Sequence, residues 1–195
     1  TLSNFEANDD SQWVPVLRRD VGALLSRQKN PFFAHAEAEY FLAEQDGAIV
    51  GRIAAISNRL HNEFHGDRVG FFGFFESEYD HAVADALFEA AAGWLRGRNH
   101  DVMRGPASFS TNDECGLLVD GYDTPPCLLM PHNPPYYHRL MNTAGFAKAR
   151  DLIVWQPVNG GKWTPTNVGR AVMEGVELTS RQRMGLLGCE LGYTF

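Results

Sequence analysis

The segment Arg68 to Glu76, RVGFFGFFE, sets four phenylalanines and a valine between two charged ends. A strand with one face in water alternates polar and apolar side chains; an unbroken apolar run fits a strand buried on both faces. Any fold that contains this segment must therefore cover both sides of it. Gly70 and Gly73 would weaken such a strand unless a bulge or a closely packed ligand needs them.

The surrounding segments supply the cover. Upstream, Glu39 to Glu44 (EYFLAE) and Ala48 to Asn58 (AIVGRIAAISN) read as two strands joined by an Asp46-Gly47 hairpin turn. A polar loop, RLHNEFHGD, then leads to the buried strand. Downstream, Asp80 to Arg98 is the clearest helix, with Val83, Ala86, Leu87, Ala90, Ala91, Trp94 and Leu95 on one face. Asp80 is placed to cap it. A short strand near Val102-Met103, a long loop (GPASFSTNDECGLLVDGYDTPPC) and an apolar CLLMP segment follow. Asn133 to Phe146, NPPYYHRLMNTAGF, reads as a short helix with a proline-marked start, and AKARDLIVWQ as the strand after it.

At the other end, Trp13 to Gln28 places Val14, Leu17, Val21, Leu24 and Leu25 at helical spacing, with Pro15 tolerated in the first turn and Lys29-Asn30-Pro31 as the stop. Residues 1–12 are polar and patternless, and 13–156 form the domain. The tail, 157–195, opens near the turn Asn159-Gly160-Gly161 and alternates weak helix and loop signals. It is left unassigned, as expected of a truncated or aberrant end. The element order predicts an α/β (α+β) domain with a mixed sheet flanked by helices.

A length of 195 residues suits one domain with a full core. The net charge of −7, with no basic stripe to offset it, argues against a nucleic-acid partner. No apolar run approaches the roughly 18 residues that span a bilayer, so no membrane partner is expected. Cys115, Cys127 and Cys189 form no CxxC pair, which points to a reduced, cytoplasmic setting. The start at Thr1 suggests a fragment.

The order of elements from about 13 to 156, with the strings NPFFAHAEAEYFLA, RLHNEFHGDRVGFFGFFE and STNDECGLLVDGYDTPP, resembles an uncharacterised GNAT-like branch of the acyl-CoA N-acyltransferases, lacking the first strand. That resemblance implies a mostly antiparallel sheet and acetyl-CoA or another acyl-CoA as donor, lying where the buried strand splays from the strand near Val102. The pantetheine arm would pair with Gly73, Phe74, Phe75 and Glu76, and Asn133 would join this cofactor set. Glu76, at the strand end, would take a proton from a small-molecule amine acceptor. The family's glycine-rich diphosphate loop corresponds here to ESEYDHAVADALF, which lacks glycine before the helix and carries Glu76, Glu78 and Asp80. The family often has a tyrosine acid five residues before the terminal Phe; Met141 stands there, leaving Tyr136 and Tyr137 to supply a hydroxyl.

The loop cluster Asn112-Asp113-Glu114-Cys115-Gly116 is the candidate acceptor site, with Asn112, Asp113 and Glu114 able to bind an amine; turn chemistry is the plainer explanation. Cys115 would need a nearby His132 or His138 to act as a nucleophile. His61 and His65 lack the HExxH order of a zinc protease, so no metal site is assigned. The leading expectation is acyl transfer from acyl-CoA to an amine. The alternative is a catalytically degenerate GNAT-fold domain that binds a ligand or packs against a sister domain or a second copy.

Overall fold

A computed structural model describes residues 17–123, 129–158, 162–171, 177–184 and 187–194. Four strands, β1 (Ala36–Gln45), β2 (Ala48–Asn58), β3 (Val69–Ser77) and β4 (Val102–Arg104), form one sheet in that order. The β1–β2 and β2–β3 pairings are antiparallel and β3–β4 is parallel, so the sheet is mixed and the fold is α+β. At the β1–β2 turn both Asp46 (φ 53°) and Gly47 (φ 79°) are left-handed, as the tight hairpin requires.

The run that most constrained the fold lies inside the sheet: every β3 residue is buried except the half-buried Phe74. Its pairing with β2 is interrupted once. Arg52 faces Glu76 while Ala54 faces Gly73, which leaves Phe74 and Phe75 opposite the single residue Ile53. This bulge, with Phe74 at φ 50°, breaks the two-residue alternation. Phe72 and Phe75 consequently enter one core, and Phe71 and Phe74 the other.

On the first face, α3 (His81–Arg96) buries Ala84, Leu87, Phe88, Ala91 and Leu95. Asp80 caps it as expected, Oδ1 accepting from Ala82 N at 2.7 Å and Val83 N at 3.4 Å. Helix α4 (Tyr137–Thr143) adds Tyr137, Leu140 and Met141 to the same core. Burial of each large side chain here is worth about 1.5–3 kcal/mol. The second face is covered by Leu24 and Leu25, by Phe32 and Phe33 of a 3-10 turn at Pro31–Ala34, and by Phe109 of the long loop.

Three expectations are corrected. The first helix, α1, spans Arg18–Leu24 instead of reaching Gln28, because the Leu24 carbonyl accepts from Asn30 Nδ2 at 2.7 Å; the expected residues 13–16 lie outside the described residues. The RLHNEFHGD segment is not simply a loop: Arg59–His65 forms α2, with Asn58 accepting from His61 N and Gly66 closing it at φ 65°. In the tail, helix and loop signals give way to strands. There β5 (Arg150–Val158) pairs antiparallel with β6 (Lys162–Ala171), and β7 (Glu177–Met184) with β8 (Leu187–Thr194). The predicted turn at 159–161 lies outside the described residues. No helix among the described residues is long and apolar enough to cross a membrane.

Candidate active site

The antiparallel register aligns Leu42 of β1, Arg52 of β2 and Glu76 of β3 in one row across the sheet. Directly opposed residues share a face, so these three side chains emerge together on the side away from α3. Arg52 Nη2 and Glu76 Oε1 form an ion pair, with only 24% and 9% of their side-chain surfaces exposed. Glu76 Oε2 and Arg52 Nε are buried with no hydrogen-bond partner among the described residues. Burial pushes the Glu76 carboxyl above its ordinary range, and the Arg52 charge and hydrogen bond pull it back. Such a pair is expensive to desolvate, so its presence in a strand pair calls for a role beyond stability.

A third charged group is brought in by the long loop. An added Cβ on Gly73 would stand 2.1 Å from Ala107 O, so the close approach glycine permits is made by the protein's own chain. Ala107 N donates to Phe72 O at 2.8 Å, Ala107 bridges Cys115, and Ser108 N donates to Glu114 O at 2.8 Å. These contacts lay Glu114 over the strand that carries Glu76. The Glu114 side chain meets solvent, yet protein encloses it enough to push its carboxyl up to about 7, through burial first and then the Glu76 charge, with Arg52 opposing. Two carboxylates and one guanidinium thus share this place, and one carboxyl titrates where a general base is most effective.

Beside them, the outer edge of β3 is only partly paired among the described residues. Its pairing with β4 ends at Phe71↔Arg104, and Ala107 holds Phe72. Farther along, Phe74 N reaches Ser108 Oγ only at 3.4 Å. At Ser77 the edge closes again: Tyr136 donates its hydroxyl to Ser77 O at 2.9 Å, and the Tyr137 hydroxyl accepts from Ser77 N at 3.1 Å. The stretch Gly73 to Glu76, expected to meet a pantetheine arm, lies between these two anchorages. Left-handed backbone at Phe74 (φ 50°) and at the buried Phe109 (φ 83°), whose rings are 4.9 Å apart, concentrates strain beside it.

A diphosphate does not fit at the start of α3. The N–H groups of Ala82 and Val83 that would face it are already occupied by Asp80 Oδ1, and the carboxylate brings charge of the wrong sign. Acyl-CoA bound in the manner the resemblance implies therefore lacks its phosphate cradle there.

Among the other candidates, Asn112 is exposed, with its backbone N–H on Ser110 Oγ, and Asp113 accepts from the Ser110 hydroxyl at 2.6 Å; both shape a turn. Asn133 is buried, accepting from Leu118 N at 2.7 Å and donating to Leu118 O and Pro134 O, so its amide pins the loop. Burial, with Asp113 and Glu114 beside it, pushes the Cys115 thiol up to about 12, too high for a nucleophilic thiolate. His61 and His65 contact each other on α2, with ring centroids 4.3 Å apart, but no three potential ligands among the described residues could hold a metal ion. Sequence reasoning missed Arg52. Its signal was a lone charge inside AIVGRIAAIS, a pattern otherwise suited to burial.

The chain is 40% identical over 147 residues to Protein YghO of Escherichia coli (strain K12), covering 75% of this chain and 37% of that protein. It is also 42% identical over 148 residues to Bacterial ceramide synthase of Caulobacter vibrioides, covering 75% of this chain and 38% of that protein. The chain thus spans a little over a third of the length of these relatives. No protein-family profile matches it, and no solved structure matches it at a significant level.

Proposed function

We propose that this domain takes part in N-acyl transfer, joining the acyl group of a thioester to the amine of an acceptor on the Arg52 face of the sheet. In this reading the fold is a GNAT-type sheet lacking its first strand, and the donor is an acyl-CoA whose diphosphate is held away from the α3 terminus. The amine nitrogen attacks the thioester carbonyl, the carbon–sulfur bond breaks, and the thiolate leaves, taking up the second proton that the nitrogen sheds as the amide forms. A protonated amine has no lone pair, so a base must first remove its proton. Glu114 and Glu76 are the candidates, with Glu114 favoured because Glu76 is already paired to Arg52. Tyr136 and Tyr137, anchored on Ser77, position the β3 edge for the donor.

The observation that carries this reading is the Arg52–Glu76 pair with Glu114 beside it, next to the partly paired edge of β3. Similarity to a protein named for ceramide synthesis supports it, since a ceramide is the amide of a fatty acid and a long-chain amino alcohol. On that basis the acceptor proposed for this chain is a long-chain amino alcohol and the acyl group a fatty one.

A second reading, a domain that keeps the fold without the chemistry, is favoured by the Asp80 cap, which occupies the family's phosphate position. Following thiol release from palmitoyl-CoA with sphinganine as acceptor, together with the amide product, separates the two. Acceptor-dependent thiol release that falls more than about a hundredfold in Glu114→Gln supports transfer at this site. No amide under saturating donor and acceptor leaves the degenerate reading.

A further inference from the structure

The feature that acyl transfer leaves unexplained is the buried Oε2 of Glu76, which has no hydrogen-bond partner among the described residues. An orphaned acceptor on a carboxylate enclosed to this degree carries a desolvation cost that a ligand able to donate hydrogen bonds would offset. Arg52 satisfies one oxygen only, and its own Nε is orphaned too, so the pair does not satisfy itself. Glu114 stands close enough to Glu76 for that charge to disfavour its own ionisation. Two carboxylates facing one guanidinium leave a net negative charge of about one when both ionise, which matches one added cation.

Leading away from this place is an apolar lane. Leu42 stands in the same cross-strand row as Arg52 and Glu76, with 57% of its surface exposed. Tyr40 and Ile49, opposite Ala54 and Glu44, lie on the same face and are also exposed. A charged end beside an apolar strip suits an amphiphile whose head and tail are held by different residues.

We propose that Glu76 Oε2 and Glu114 together form the seat for a primary ammonium group, and that Leu42, Tyr40 and Ile49 carry the hydrocarbon chain attached to it. This rests on reading the acceptor as an amine, but it is a statement about binding and holds without any donor. An ammonium offers three N–H donors, enough to engage both carboxylates at once. An alcohol or an N-acetylated amine of the same length brings no charge, and the two carboxylates would then repel each other uncompensated.

Calorimetric titration of the full chain at pH 8 with decylamine, and separately with decanol and N-acetyldecylamine, tests this without an acyl donor. Decylamine is expected to bind at least about tenfold tighter than either neutral analogue, as a charge-assisted hydrogen bond implies. Glu114→Gln should reduce that preference to below about threefold, while Leu42→Asn weakens all three ligands by a similar factor and leaves the preference intact. Glu114 is solvent-facing, so this variant tests the seat even if Glu76→Gln does not fold. Equal binding of the three ligands by the parent chain, or an undiminished preference in Glu114→Gln, overturns the proposal. An intact amine preference in a protein that forms no amide overturns acyl transfer and leaves the ammonium seat standing. Amide formation without any amine preference does the reverse.

Discussion

The two faces of β3 are built from one segment and serve opposite ends. Toward α3 the strand presents Phe72 and Phe75, which meet Phe88, Leu87 and Leu140 in a largely apolar core. Phe75 stacks on Phe88 with centroids 4.8 Å apart. Toward the other side it presents Phe71, Phe74 and Glu76, beside Arg52, Glu114 and two residues with left-handed backbone. One face lowers its free energy by excluding water. The other retains charge, strain and orphaned polar atoms that the first must offset. The bulge at Phe74–Phe75 permits both, because it lets Glu76 turn toward Arg52 while Phe72 and Phe75 remain in the same core.

Substitutions on the two faces should therefore separate stability from activity. The largest loss of stability is expected for Phe72→Ala, whose side chain is fully buried between β3 and α3: about 3–5 kcal/mol, read as a lower urea midpoint at unchanged slope. Arg52→Met comes next, at about 3 kcal/mol, since Glu76 is left buried without its partner. The double variant Arg52→Met/Glu76→Leu sharpens the contrast. It should recover most of that loss, or exceed the parent in stability, while amide formation disappears. If the double variant is as unstable as the single one, the pair is structural and the distinction between the faces fails.

Glu114 should behave differently from both. Its carboxyl is raised from an ordinary 4.5 to about 7, so between these values the folded protein holds a proton that the unfolded chain has released. Stability due to this group is present at low pH and is lost as pH rises from about 4.5 to about 7. Glu114→Gln should flatten that part of a melting-temperature profile. The smallest effect is expected for Tyr136→Phe, which removes one hydrogen bond to Ser77 O and should cost about 1 kcal/mol in a chemical denaturation series.

The apolar face was legible in the sequence because periodicity reports burial. The run at Val69 to Phe75 placed a two-faced strand, and Leu87, Ala91 and Leu95 placed the helix over it. Hairpin chemistry at Asp46-Gly47 and the cap at Asp80 were readable for the same reason, since each is local. The polar face was only partly readable. Glu76 and Glu114 are 38 positions apart, and their meeting depends on Ala107 lying against Gly73, a tertiary contact with no local signature. Gly73 itself was visible but ambiguous: a glycine allows close approach without saying whether a ligand or the chain makes it. Arg52 was overlooked because one charge in a strand also reads as an edge residue facing water. Helix α2 was missed because its polar sequence offers little apolar periodicity, although Asn58 and Gly66 mark its ends.

The most direct measurement is the pH dependence of acceptor-dependent thiol release, from pH 5 to 9, for the parent chain and Glu114→Gln. If the Arg52 face is the transfer site, the parent rate rises through an apparent value near 7 and levels off, as ionised Glu114 accepts the proton. Glu114→Gln should then be more than about a hundredfold slower, with that inflection gone. A variant that keeps both the parent rate and its inflection would place the chemistry somewhere other than this face.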